Sequence, residues 1–480
     1  MKSTPIRPFR ACWYTACTGR RAMWRSIGVA IAVVWLPWKA FSAEAGAPAM
    51  TLDQALAFAR QHQPSLRAAL ARAASASAAT AIPRAERYPR LGAIAEVFGG
   101  TTNNTTTVFV APSAVDLARV GATPVTPNPS WSPTPSSLVG AGVRWDLFDF
   151  GRIAAEAAVF DATAEAERYR AQSEALNVEY LVREAFYGVQ AAKAVLEAAE
   201  ASYARVKANR DFAAAGVHSG LRSPIDLTRA DAETARLDVG RIRAKGGVVA
   251  AQGVFAAVVG VPSLLLDATG EAIAPPLPPS AEASLRDAEK RDPAIFEADA
   301  RIRAQRALTR SFLFAFVPDL QLDASISGRA GGSLSTTQTT PVPWGGGWVP
   351  NTPNWDVGLS LNWRWFDESM LARREVSVRD EEARQEELKS VELQEKTAVE
   401  DAFTAAEVAQ KALPALELSV KAAKDNYAQA DTRFRAGLGT AVELADAEAL
   451  RTQADIDFAL GRFEYARARA RLARALAEGQ

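Results

Sequence analysis

Phe434-Arg-Ala-Gly-Leu-Gly-Thr-Ala-Val-Glu-Leu-Ala-Asp-Ala-Glu448 interrupts two long helix-patterned stretches with the only glycines nearby, Gly437 and Gly439. A glycine frees the backbone at the end of one helix. Thr440 is placed to cap the next, with Glu443 in its first turn. The stretch reads as the tip of a helical hairpin. Val217-His-Ser-Gly-Leu-Arg-Ser-Pro-Ile-Asp-Leu-Thr-Arg-Ala-Asp231 matches it in register, with 217 residues separating Gly220 from Gly437, Leu221 from Leu438, Ser223 from Thr440, Asp226 from Glu443 and Leu227 from Leu444. The chain carries the tip twice. A capped helix connection accounts for the Gly, the Ser or Thr and the first carboxylate. It does not account for Glu443 and Asp446 together, three apart on one helical face in an Ala-rich surround.

The duplication extends outward from the tips. Thr51-Leu-Asp-Gln-Ala-Leu-Ala-Phe-Ala-Arg-Gln-His-Gln-Pro64 opens a helix that breaks at Pro64, and Ala283-Ser-Leu-Arg-Asp-Ala-Glu-Lys-Arg-Asp-Pro293 repeats the pattern. A single offset of 229 residues relates Pro64 to Pro293 and Pro89 to Pro318, a register that makes the chain a tandem duplication. Residues 44–260 form the first repeat and 281–480 the second. The connector at 261–280, with Pro275-Pro276 and Pro278-Pro279, is expected to wrap the outside.

Beyond Pro89 and Pro318 the period changes from helical to two. Leu91, Ala93, Ala95 and Val97 alternate with polar or small neighbours, as do Leu320, Leu322, Ala324 and Ile326. A second strand closes each repeat. Val139, Ala141, Val143, Trp145 and Leu147 oppose Gly140, Gly142, Arg144 and Asp146. In the partner, Trp355, Val357, Leu359, Leu361, Trp363 and Trp365 oppose Asp356, Gly358, Ser360, Asn362 and Arg364. A soluble sandwich could use such strands. Lone charges beside glycines on one face, and Trp near the ends of the other, suit a watery lumen and a lipid-facing surface with aromatic girdles. The Thr/Asn/Gly/Ser/Pro-rich segments 99–137 and 328–354 read as exposed loops, and Asn103-Asn-Thr105 as a chance sequon. Four strands cannot close a barrel, and an open edge in lipid leaves backbone groups unsatisfied, so other chains must complete the sheet.

After each strand pair come helical patterns of exceptional length, about 151–215 and 368–436, which at the α-helical rise reach roughly 100 Å. They are rich in Ala, Glu and Arg and lack an apolar run able to span a bilayer, so they read as aqueous, coiled-coil-like helices. Pro414 predicts a kink or local loss of helix in the second. Return helices follow at about 224–258 and 441–478.

The first 43 residues stand apart. Arg20, Arg21 and Arg25 precede an apolar run from Ile27 to Trp38 and then Ala40-Phe-Ser-Ala-Glu-Ala45, the layout of a secretory signal peptide; a short transmembrane anchor is the alternative. Both cysteines, Cys12 and Cys17, lie before that run, so the processed chain would have no disulfide, thiolate metal site, cysteine nucleophile or lipidated N-terminal Cys. The leader holds seven basic residues and no acidic one, which leaves 48 of the 55 basic residues against 55 acidic ones in the remainder. That mild negative balance gives no footing for nucleic acid. His62 and His218 are the only histidines, far apart in the pattern, with no nucleophile motif or His/Cys cluster, so an enzyme is disfavoured and no cofactor or metal is expected. Of four methionines Met1 and Met23 lie in the leader, and Met50 and Met370 are too few for a soft-ligand copper or silver path.

In this order and doubled, these features resemble the outer-membrane efflux protein (TolC-like) family. The carriers are Leu-x-x-Ala-Leu-x-x-Ala at Leu52 to Ala59 with Pro64, the Pro-then-strand starts at Pro89 and Pro318, Trp-x-Leu-Phe-Asp-x-Gly-Arg at Trp145 to Arg152, and the Gly-Leu-x-Ser/Thr tips. The resemblance implies an α+β outer-membrane protein: a homotrimer with one 12-stranded β-barrel continued by a periplasmic α-helical tunnel. It also implies the exit duct of a tripartite efflux pump or type I secretion system, fed by an inner-membrane transporter through a periplasmic adaptor. A periplasm-spanning scaffold without a conducting pore is the alternative. By position, Glu443 and Asp446 match carboxylates that ring the closed aperture, and Asp226 an acidic residue that helps hold the closed state. Gly220, Leu221 and Ser223 with Gly437, Leu438 and Thr440 match the adaptor-docking tips. The aromatic and basic partners of the family's latch are not reproduced, since Phe434 has no hydroxyl and Gly439 no charge; Arg222 or Arg229 could supply the cation.

Overall fold

The computed structural model describes residues 48–101, 133–261, 265–270, 274–330 and 352–478. The expected leader, the sequon and most of both long loops lie outside these residues.

Thr51 caps α1 (Leu52–His62) with a reciprocal capping box to Gln54, and the extended Gln63 before Pro64 separates it from α2 (Pro64–Ala79). The short α3 (Ala81–Ala85) leads into β2 (Arg90–Thr101), β3 (Pro133–Phe148), the long helix α4 (Arg152–His218) and its return α5 (Pro224–Val259). The second half repeats the order: α6 (Ala281–Glu289), α7 (Pro293–Phe314), β5 (Asp319–Ala330), β6 (Thr352–Asn362), α8 (Glu368–Arg435) and α9 (Ala441–Ala475). Within the connector, β4 (Asp267–Ala268) pairs in parallel with β1 (Ala49–Met50). The connector lies against α9, where the Pro275 carbonyl accepts from the Tyr465 hydroxyl at 3.3 Å and the Pro276 carbonyl from Arg469 Nε at 3.3 Å.

Two expectations need correction. The strands run further into the polar segments than composition suggested, to Thr101 and Ala330 and back from Pro133 and Thr352. An antiparallel ladder is made by backbone groups, so Gly, Ser and Thr extend it once the hairpin is in register. The helix also continues through Pro414 without a break. Gly461 on α9 leaves room for Leu416, two residues beyond Pro414 on α8, to lie close across the hairpin.

The four long strands form one antiparallel sheet in the order β2-β3-β5-β6, leaving the outer edges of β2 and β6 without a partner strand among the described residues. The helices form a layer. Around the tips the lateral order is α5, α4, α9, α8, and nearer the sheet it is α2, α4, α7, α8. Sheet and layer thus end on the same two sides. At the waist Ala55 and Ala59 of α1, Val182 and Phe186 of α4, Phe255 and Val259 of α5, Leu266 of the connector and Ala470 of α9 make the largest core, with Phe186 edge-on to Phe255 at 5.8 Å. The apolar C-terminal half of α5 has the length and composition of a membrane span, but Phe255, Ala256 and Val259 are spent in this core.

Candidate pore and hairpin tips

The strand faces separate by chemistry. Leu91, Val97, Val139, Ile326, Trp355, Val357, Leu359 and Leu361 are exposed on one face. On the other, Arg144 Nε donates to Asp323 Oδ1 at 2.7 Å across the β3–β5 pair, and Ser325 Oγ donates to Asp356 Oδ1 at 2.5 Å across β5–β6. Asp146 lies 3.6 Å from Arg152, and Arg364 lies 3.8 Å from Asp367. The charges read from the sequence as lone are therefore partnered. Pairing across neighbouring strands is legible only once register is known.

Two of the girdle tryptophans are fixed at the start of the sheet. Trp145 Nε1 donates to the Arg87 carbonyl at 2.9 Å, and its counterpart Trp363 Nε1 donates to the Phe316 carbonyl at 3.1 Å. Just beyond, Asp149 accepts from the Ile153 amide at 2.6 Å and Asp367 from the Ser369 amide at 3.0 Å, turning each strand into its long helix.

The tips are near copies. Gly220 and Gly437 both have φ +74°, the left-handed region that favours glycine. The Leu221 amide donates to the Gly216 carbonyl at 2.9 Å and the Leu438 amide to the Arg433 carbonyl at 2.8 Å, the six-to-one bond of a Schellman turn. The leucines are thereby thrown outward, Leu221 at 84 % and Leu438 at 76 % exposure. Ser223 accepts from the Ile225 amide at 3.4 Å, and Thr440 from the Glu443 amide at 3.2 Å.

Glu443 returns a bond to that cap, accepting from the Thr440 amide at 3.4 Å. It is exposed, as is Asp446 one turn on, and Asp446 has no ion pair among the described residues. Asp226 sits apart from them in the chain. With Arg229, Phe434, Leu444 and Glu448 it lines a cavity of about 360 Å³ between the hairpins. Neither Glu443 nor Asp446 faces that cavity.

The clasp between the tips uses Arg222. Its Nη2 donates to the Phe434 carbonyl at 2.8 Å, and its guanidinium lies 3.9 Å from the Phe434 ring centroid and 5.1 Å from that of Phe212. A stacked, chelated guanidinium holds two tips without a tyrosine hydroxyl. Phe434 is buried, and its ring also meets Phe212 edge-on at 6.1 Å. Deeper in the same seam Glu448, the last residue of the quoted tip, binds Arg205 of α4. The sequence reading passed over this pair. A signal existed, because the repeat keeps the carboxylate as Asp231 but has Ala422 in place of the Arg205 cation.

At the waist Asp292 caps α7, accepting from the Ala294 amide at 2.9 Å. Burial, opposed by that amide, by Glu395 and by Arg474, raises its carboxyl above the usual range. Burial first, then the Asp292 charge, pushes Glu395 up to about 7.

The sequence profile of the outer membrane efflux protein family matches residues 55–260 and 284–478. No curated protein matches the sequence closely. Among solved structures the outer-membrane channel OprN is 22 % identical, covering 89 % of this chain and 90 % of its own with a TM-score of 0.70. The Campylobacter jejuni CmeC outer membrane channel is 15 % identical at TM-score 0.70, covering 89 % and 86 %. The open state of the Neisseria gonorrhoeae MtrE outer membrane channel is 19 % identical at TM-score 0.66, covering 89 % of each chain. Fold and doubled profile match agree: the chain belongs to the outer membrane efflux protein family, a family of outer-membrane proteins and not of enzymes.

Proposed function

We propose that three copies of this chain close one 12-stranded barrel and one helical tunnel, and that the assembly is the exit duct of a tripartite efflux pump or type I secretion system. The observation that carries the reading is the pair of unpartnered sides: β2 and β6 at the edges of the sheet, α5 and α8 at the edges of the helix layer. β2 and β6 run in opposite directions, so β6 of one copy can continue the antiparallel ladder on β2 of the next. Transport is then passive, with energy supplied by an inner-membrane transporter through a periplasmic adaptor.

Three chains bring six carboxylates, from Glu443 and Asp446, to the periplasmic mouth, favouring cations and divalent block. Asp226 with the Arg222 clasp holds the closed arrangement. Gly220, Leu221, Ser223 and Gly437, Leu438, Thr440 offer the adaptor paired apolar knobs on capped turns. Single-channel recording in planar bilayers tests the reading. Wild type should pass small, cation-selective, divalent-blocked currents that grow in Glu443→Ala/Asp446→Ala. No current from either, with folded and inserted protein, refutes it.

A further inference from the structure

The two repeats treat the start of the helix before their first strand differently. By the 229-residue register α2 corresponds to α7, with Gln63 opposite Asp292, Ala68 opposite Glu297 and Arg72 opposite Arg301. In α7 both acids are used: Asp292 caps the helix, accepting from the Ala294 amide at 2.9 Å, and Glu297 pairs with Arg301 one turn on. In α2 both acids are gone. Gln63 makes no cap bond, which leaves the Ser65 amide, the counterpart of that of Ala294, without a side-chain acceptor. Ala68 carries no charge, and Arg72 has no ion pair among the described residues.

The positions that lost their acids open on a cavity. A space of about 400 Å³ between α2, α4 and the last turn of α9 is lined by Ser65, Arg72, Arg170, Ser173, Glu174 and Arg474. Three guanidiniums from three helices meet one carboxylate there. They are only weakly neutralised elsewhere. Arg170 reaches Glu167 at 3.8 Å and acts on Glu297 by charge alone, and Arg474 acts on Asp292 and Glu395 with no contact ion pair among the described residues. Ser173 Oγ, on the α4 wall, is buried without a hydrogen-bond partner. Buried hydroxyls are paired as a rule, because leaving one unmet costs free energy. Guanidiniums bind phosphate and carboxylate oxygens in forked pairs, and a cavity of this volume falls in the range of small-molecule sites.

We propose that this cavity binds a small organic anion bearing a phosphate or two carboxylates, held by Arg72, Arg170 and Arg474 with the Ser173 hydroxyl as a further donor. Three cations set against Glu174 leave an excess that matches a dianion. Every group comes from one chain, so the site stands independently of the duct reading. An occupant joins α2, α4 and α9 at the waist.

Calorimetric titration of the purified protein in detergent and dilute chloride buffer tests this, with glycerol phosphate and succinate as probes. One of the two should bind saturably, at one site per chain. Arg72→Gln should weaken that binding about tenfold, the worth of one charged hydrogen bond. Ala68→Glu should weaken it as much, because it copies Glu297 and gives Arg72 the internal partner that Arg301 has. Both positions are exposed on α2, and circular dichroism with the thermal midpoint checks that the variants fold. Arg301→Gln in α7 should leave the affinity unchanged. Tighter binding of glycerol phosphate assigns a phosphate-bearing ligand, and tighter binding of succinate a dicarboxylate. Saturable binding of neither overturns the proposal, as does binding that folded Arg72→Gln and Ala68→Glu leave intact or that Arg301→Gln weakens equally.

Discussion

Replacing Glu395 by Gln should make the protein more stable at neutral and alkaline pH and flatten the pH dependence of its unfolding. Glu395 of α8 and Asp292 at the start of α7 lie close enough that each shifts the other's titration, with Arg474 of α9 as the nearby cation. Two carboxyls at one half-buried site favour sharing a proton. The folded value of Glu395, about 7, lies above the 4.5 of the free side chain, so the folded state binds the proton more tightly. The stability this contributes is complete below the unfolded value and is lost as pH rises through the folded one. The full shift corresponds to about 3 kcal/mol. Halved for solvent reaching the pair, it leaves on the order of 1.5 kcal/mol. For a chain of this length that is roughly 2 °C in unfolding midpoint. Thermal unfolding in detergent at fixed scan rate, in buffers spanning pH 5 to 8, reads it. Wild type should lose midpoint steadily across that window while Glu395→Gln stays level and is the more stable at pH 8. Parallel slopes in the two proteins would refute the shared proton.

Arg222→Ala removes a charge-assisted bond and a stacking contact, together worth about 2 kcal/mol, and should raise basal conductance in bilayers, with Arg222→Lys recovering only part of the closure. Leu221→Asp with Leu438→Asp should abolish efflux complementation in cells while leaving trimer content and bilayer conductance at wild-type levels, because both side chains already stand in water. Trp145→Phe and Trp363→Phe each delete one indole hydrogen bond, about 1 kcal/mol, and should lower the thermal midpoint by similar amounts, reflecting their equivalent bonds to Arg87 and Phe316.

Whatever depended on local chemistry was readable in advance. Pro64, Pro293, Gly220 and Gly437 impose backbone geometry by themselves, and the period-two runs at Val139 to Leu147 and Trp355 to Leu361 allow only one arrangement of faces, although β6 stops at Asn362, short of the Trp363 and Trp365 that the pattern had included. Contacts that join residues more than a hundred positions apart were not readable. Arg144 and Asp323 meet only because β3 lies beside β5, and Arg222 reaches the Phe434 carbonyl only because two tips end at one level. At Pro414 the helix is not interrupted, so the local loss of helix expected there does not occur.

Why motion should concentrate at the tips follows from the same contrast. In the sheet, every change in spacing between strands breaks backbone hydrogen bonds where no water can replace them, at several kcal/mol each, so barrel width is set by strand number. Along the helices each backbone bond is internal to its own helix, and sliding one helix past another exchanges only side-chain contacts. At the waist those contacts are the large apolar core around Phe186 and Phe255. Near the tips they thin to the small cluster of Tyr427, Phe434, Leu444 and Ala447. Within a chain that weak end is reinforced by Glu448 and Arg222.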